Sequence, residues 1–164
     1  MLSGLKYVDS TEIIELQFYT FLGETYNALN DFKNSDLFFE KALTIDRQNI
    51  FLLNNYSYYL AQREERLDLA LEYSRKCVEI QPNNYKYLDT YGWVLFKSKR
   101  YDESKVVLDG VMRKGGYESE EILVHYILLL IQLNLMDDAL KNYQALKKLG
   151  KDNQQIRSLL KIAN

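Results

Sequence analysis

From Phe51 to Leu60 apolar residues recur three and four positions apart, with Leu53, Tyr56 and Leu60 on one face of a predicted helix. The polar cluster Arg63-Glu64-Glu65-Arg66 ends it. A second helix is predicted from near Leu67 to about Ile80. Gln81-Pro82-Asn83-Asn84 then stops it, because Pro82 cannot continue a helix and an asparagine can cap the next one. One period later Gly115-Gly116 serves the same purpose.

The two-helix pattern repeats. Ala42, Cys77, Val111 and Leu146 stand in matching segments, with steps of 35, 34 and 35 residues. A small column, Ser35, Ala70, Ser104 and Ala139, and a bulky one, Phe32, Leu67, Tyr101 and Met136, keep the same steps. A fourth column, Gly23, Ser57, Gly92 and Ile127, steps by 34, 35 and 35. Four columns with one period predict a stack of helix pairs, and the one-residue wobble falls in turns, where an insertion costs little. The small column is expected to let paired helices approach closely.

Composition agrees with helices. The 164 residues include one Pro and seven Gly, too few for a chain rich in tight turns. The chain is 47% hydrophobic and 27% charged, which is globular rather than disordered. A net charge of -2, with both signs mixed along the chain, gives no electrostatic reason to expect nucleic acid as a partner. The longest apolar stretch, Ile127 to Ile131, is too short to insert across a bilayer. Cys77 is the single cysteine, so no disulfide forms within the chain. The chain reads as soluble, and its compartment stays open: cytoplasm, or periplasm had a signal been removed.

The ends carry two expectations. Asp9-Ser10-Thr11-Glu12 has the form of a capping box that starts the first helix, and Gly4 to Val8 read as the tail of an earlier repeat. Asp152 to Ala163 are expected to form a capping helix with Ile156, Leu159 and Leu160 facing inward.

These columns resemble the tetratricopeptide repeat. The match lies in Leu22-Gly23 followed by Tyr26, in Phe39 and Ala42, in Ala70 with Pro82, and in Tyr91-Gly92 followed by Leu95 and Tyr101. It covers roughly residues 16 to 148. The stretch from Leu88 to Lys97, continued by Tyr101 to Ser104, is similar to repeats of many bacterial members. Ser74 stands where an aromatic is usual, Arg47 where proline is usual, and Ile127 and Leu128 replace small and polar residues in the last repeat. The resemblance implies an all-α, right-handed solenoid of antiparallel helix pairs in one domain, 1–164. Its repeats would be about 16–49, 50–84, 85–119 and 120–151, with a cap at 152–164. It also implies a concave groove, lined by the first helix of each pair, that binds a protein or peptide.

No catalytic constellation stands out, and no enzyme, metal or cofactor is expected. His125 is the only histidine and lacks companions for metal or triad chemistry. Cys77 sits in a helical core column and reads as a buried, inert thiol. Glu64-Glu65, Glu120-Glu121 and Asp137-Asp138 lie at helix starts or turns, where solvation and capping explain them. Gly115-Gly116 lacks the following Lys-Ser/Thr of a phosphate loop.

The inward face is the candidate site. It carries Gln17, Thr20, Glu24 and Asn27 in the first pair, and Phe51, Asn54, Tyr58 and Gln62 in the second. The third pair supplies Lys86, Asp89, Trp93 and Lys97, with Phe96 near the rim, and the fourth Glu121, Val124, Leu128 and Ile131. The second and third sets are the expected protein-binding residues. Trp93 and Tyr58 stand equally for anchoring a partner and for packing, whereas Leu128 and Ile131 favour packing. Lys86 and Asp89, three apart, are placed to pair with each other. Thr20, Glu24 and Asp89 leave no basic clamp for a peptide's C-terminal carboxylate. The leading reading is a protein-binding scaffold. The alternative is a self-association module or a fragment of a longer array.

Overall fold

Each pair of helices is joined by the same turn. Asn30, Glu64, Lys99 and Asn134 all have left-handed backbone, with φ between 56° and 60°, and they recur at the period of the sequence columns. In each turn the next residue's N–H reaches back to close the helix: Asp31 to Tyr26 O, Glu65 to Leu60 O, Arg100 to Leu95 O and Leu135 to Leu130 O, all at 2.9–3.0 Å. This satisfies a terminal carbonyl and reverses the chain in few residues. Asn tolerates the left-handed region better than Glu or Lys, so the turns at Glu64 and Lys99 carry more strain.

The computed structural model describes residues 10–162. Among these residues it contains nine α-helices, one short 3₁₀ turn and no strand. The helices are α1 Ser10–Ala28, α2 Phe32–Ile45, α3 Ile50–Gln62, α4 Leu67–Ile80, α5 Tyr85–Lys97, α6 Tyr101–Arg113, α7 Glu120–Gln132, α8 Met136–Lys148 and α9 Gln154–Leu159. The expected second helix, Leu67 to Ile80, is α4. The capping box at Asp9 and the tail at Gly4 to Val8 lie outside the described residues.

Asparagines and one aspartate start several helices. Asp31, Asn49, Asn84 and Asn153 each accept a backbone N–H of the first turn, at 3.0–3.4 Å. Between α6 and α7 the chain takes an extra turn. Gly115 adopts φ +101°, and Gly116–Glu118 form the 3₁₀ turn.

The four pairs α1/α2, α3/α4, α5/α6 and α7/α8 stack in order as a solenoid. The small column is fully buried where the two helices of a pair touch. In the first and third pairs its serines also bond across: Ser35 Oγ donates to Gly23 O at 2.9 Å and Ser104 Oγ to Gly92 O at 2.8 Å. In the second and fourth pairs Ala70 and Ala139 occupy that place and the contact is apolar alone. Ala42, Cys77, Val111 and Leu146 are equally buried and fall in three neighbouring core clusters along the stack.

The capping helix differs from expectation. α9 spans six residues, since Asn153 starts it and Lys161, at φ 54°, ends the turn that follows. Ile156 is buried among Leu123, Ile127, Leu130 and Tyr143. Leu159, expected to face inward, is 43% exposed. The helix is too short to bury two turns of apolar residues against α7 and α8.

Candidate binding groove

First helices line one side of the stack. Two adjoining cavities open there, bounded by α3, α5 and α7, with α9 closing one end. The first, about 450 Å³, is lined by Phe51, Asn54, Tyr58, Lys86 and Asp89, together with Asn55, Asn84, Tyr87 and Glu121. The second, about 800 Å³, is lined by Tyr58, Gln62, Trp93, Phe96 and Lys97, and by Val124, Leu128, Ile131 and Leu159. All eight residues selected from the sequence therefore lie on these walls. The first-pair set, Gln17, Thr20, Glu24 and Asn27, lines neither cavity; Glu24 instead accepts a hydrogen bond from Asn55 Nδ2 at 3.0 Å.

Helical spacing put these residues on one face, but their depths differ. Phe51 is 58% exposed and Lys86 and Gln62 are exposed, whereas Asp89 and Trp93 are buried at 5% and 4%. The Trp93 ring stacks on His125, with centroids 4.1 Å apart and planes 15° apart, and on Phe96, at 5.0 Å and 11°. Lys97 Nζ lies 5.0 Å from the centroid of the same ring and bonds Glu64 at 2.8 Å. Trp93 is thus floor rather than exposed anchor. Leu128 and Ile131 are half-buried and still form cavity wall.

His125, which the sequence assigns a structural or surface role, takes the structural one. It is buried, and its Nδ1 lies 3.0 and 3.1 Å from the two Asp89 carboxylate oxygens. Asp89 therefore pairs across helices with His125, not along its own helix with Lys86. The pair ties α5 to α7 at the bottom of the groove. It satisfies a carboxylate that would be costly to bury alone.

Tyr58 stands where the two cavities meet. Its hydroxyl accepts from Gln62 Nε2 at 2.5 Å. Burial and the neighbouring Glu121 carboxylate push its phenol well above the ordinary tyrosine range. Two polar atoms of the groove are buried with no hydrogen-bond partner, Asn54 Oδ1 and Trp93 Nε1. Buried polar atoms are nearly always paired, so an orphan needs an explanation.

Nothing in the groove has the composition of a metal centre. Among the described residues no three His, Cys, Asp or Glu side chains converge as ligands. No helix of those residues is long and apolar enough to cross a membrane. Cys77 is fully buried, and loss of hydration pushes its thiol up to about 11. A disulfide-forming thiol reagent near neutral pH should therefore leave the native chain unmodified and label it at once in denaturant. Rapid labelling of the folded chain would show that the thiol is reachable.

A family model described as tetratricopeptide repeat matches residues 16–49 and 52–84, the first two pairs. No curated protein matches the chain by sequence. Among solved structures, PilF of Pseudomonas aeruginosa is similar in fold, at a TM-score of 0.72 and 19% identity over 88% of this chain. The chain spans 65% of that PilF chain, just under two thirds. MamA from AMB-1 is similar at a TM-score of 0.65 and 14% identity, over 90% of this chain and 85% of that one. A mutant form of MamA gives 0.61 and 17%, over 82% and 77%. Two of the four pairs are thus matched by the tetratricopeptide-repeat model, and the other two extend the same stack of helix pairs.

Proposed function

We propose that this chain is a protein-interaction module that holds a peptide segment of a partner in the groove of α3, α5 and α7. Tetratricopeptide-repeat proteins generally mediate protein–protein interactions, and catalysis is not typical of them. One observation carries the narrower reading: a polar and an apolar cavity adjoin in one groove. The first offers an amide and a charge, from Asn54 and Lys86. The second offers apolar wall from Phe96, Val124, Leu128 and Leu159. Such a site takes an apolar side chain at one end and main-chain or polar groups at the other, so burial supplies affinity and hydrogen bonds fix register.

Peptides selected from a random displayed library against the chain provide the test. A selected peptide is titrated by calorimetry into the parent, Phe51→Ala, Leu159→Asp and Val106→Ala. Phe51, Leu159 and Val106 are all exposed, so the fold should survive each change. Phe51→Ala and Leu159→Asp should each weaken binding about tenfold, roughly 1.4 kcal/mol, with melting unchanged. Val106→Ala, on α6 away from both cavities, should bind as the parent does. Equal affinities for all four proteins would place the peptide elsewhere.

A further inference from the structure

The repeat itself shows which surfaces of a pair are meant to be covered. At the repeat step, Phe18 of α1 matches Leu52, Tyr87 and Ile122; Leu52 and Ile122 are 1% and 3% exposed and Tyr87 is half-buried. Phe21 matches Asn55, Thr90 and His125; Asn55 is half-buried and the other two are 5% and 3% exposed. In α3, α5 and α7 that face lies against the preceding pair. In α1 it is open: Phe18 is 56% and Phe21 63% exposed, and Ile14, one turn earlier on the same helix, is 66% exposed. Three large apolar side chains on one helix face exceed the scattered exposure of an ordinary surface.

The opposite end presents the complementary line. In α2, Asp36 and Glu40 bond forward to Arg63 and Arg66 of the next pair, and in α6 Asp109 accepts from the Tyr126 hydroxyl of the next pair. The matching residues of α8 are Leu140 and Gln144, both exposed. α9 covers the core between α7 and α8 through Ile156 and leaves this line of α8 open. Charge distinguishes the two ends. α1 carries Glu12, Glu15 and Glu24 with neither Lys nor Arg, whereas residues 136–161, from the start of α8, carry six basic residues and three acidic. Lys141, Lys147 and Lys148 are exposed on α8.

We propose that copies of this chain associate head to tail, the apolar face of α1 in one copy seated on the open line of α8 in the next. The contact joins two different surfaces, so each added copy leaves one open end of each kind and the assembly grows without closing. A two-fold pairing of α1 with itself would instead set glutamates against glutamates. The lysines of α8 favour the mixed contact, and salt weakens it. This inference does not depend on what the groove binds.

Sedimentation velocity of the 164-residue chain, over a wide concentration range and at low and high salt, tests it. The average mass should rise with concentration without halting at a dimer, and should fall at high salt. Phe18→Glu blocks one end and Leu140→Glu the other. Each variant alone should stay monomeric, and an equimolar mixture should form a one-to-one dimer, because each keeps one competent end. Thermal melts check that both fold. A parent that is monomeric throughout overturns the proposal, and an early melt of Phe18→Glu in that case would show the face closed by the chain's own residues. A Leu140→Glu variant that still dimerises would assign the contact to α1 with α1 and overturn the head-to-tail form.

Discussion

Trp93→Ala is expected to destabilise the chain by about 3–5 kcal/mol, the usual cost of truncating a buried tryptophan. Only 4% of the residue is exposed, and its ring is sandwiched between His125 and Phe96. Truncation removes both stacked contacts and the cation held over the ring by Lys97. It also opens a void beside the Asp89–His125 pair, so water reaches a buried polar contact. Trp93→Phe keeps an aromatic face in the sandwich and should lose much less. Urea titration followed by circular dichroism measures both. A Trp93→Ala midpoint equal to the parent's would mean that the ring is not packed as described. Because this variant alters the groove floor, reduced peptide binding by it would not by itself mark Trp93 as a contact.

Gly92→Leu should cost about 3 kcal/mol or more, at the upper end of overpacking effects. A Cβ at Gly92 would come within 2.6–2.7 Å of Leu108, closer than real contacts allow. Leu108 is fully buried, so it has little room to retreat. The wedge would also pull Gly92 O away from the Ser104 hydroxyl. Gly110→Ala in the same pair provides the contrast. Its Cβ meets nothing closer than Arg113 Nη2 at 3.9 Å, and alanine is the better helix former by about 0.5–1 kcal/mol, so a small gain is expected. Thermal melts of the two variants should move in opposite directions. In a linear stack each pair is held mainly by its neighbours, so hydrogen exchange should quicken first in α5 and α6 of Gly92→Leu. If Gly92→Leu melts with the parent, α5 and α6 do not touch there.

The period, the small column and the break after Ile80 were legible because each is set locally. Backbone geometry ties a small residue, a cap or a proline to one structural consequence. Which residues share the inward face was legible for the same reason, from helical spacing. Depth within that face was not. Trp93 and Phe51 occupy matching faces, yet one is floor and the other rim, because His125 of the following pair lies over the Trp93 ring. That partner is 32 residues away, and spacing does not reveal which rotamer it takes. Asp89 was read against Lys86, its neighbour in sequence, while its actual partner His125 lies 36 residues on. Gln132, Gln155 and Leu159 entered the cavity wall through the placement of α7 and α9, which no local pattern announced.

The cross-links between successive first helices are graded along the chain. Asn55–Glu24 and Lys97–Glu64, the latter from the turn that follows α3, join the first two junctions with side chains that water can reach, whereas Asp89–His125 at the third is sealed from it. A stack of pairs bends by changing the tilt from one pair to the next, and each such link acts as a spring across its junction. Exposed springs exchange readily with water and yield; the buried one yields only if a polar contact is broken in a dry interior. Compliance is therefore uneven. Thermal bending should be least at the third junction, where α5 and α7 move together and the groove between them keeps its width as the rest of the coil flexes.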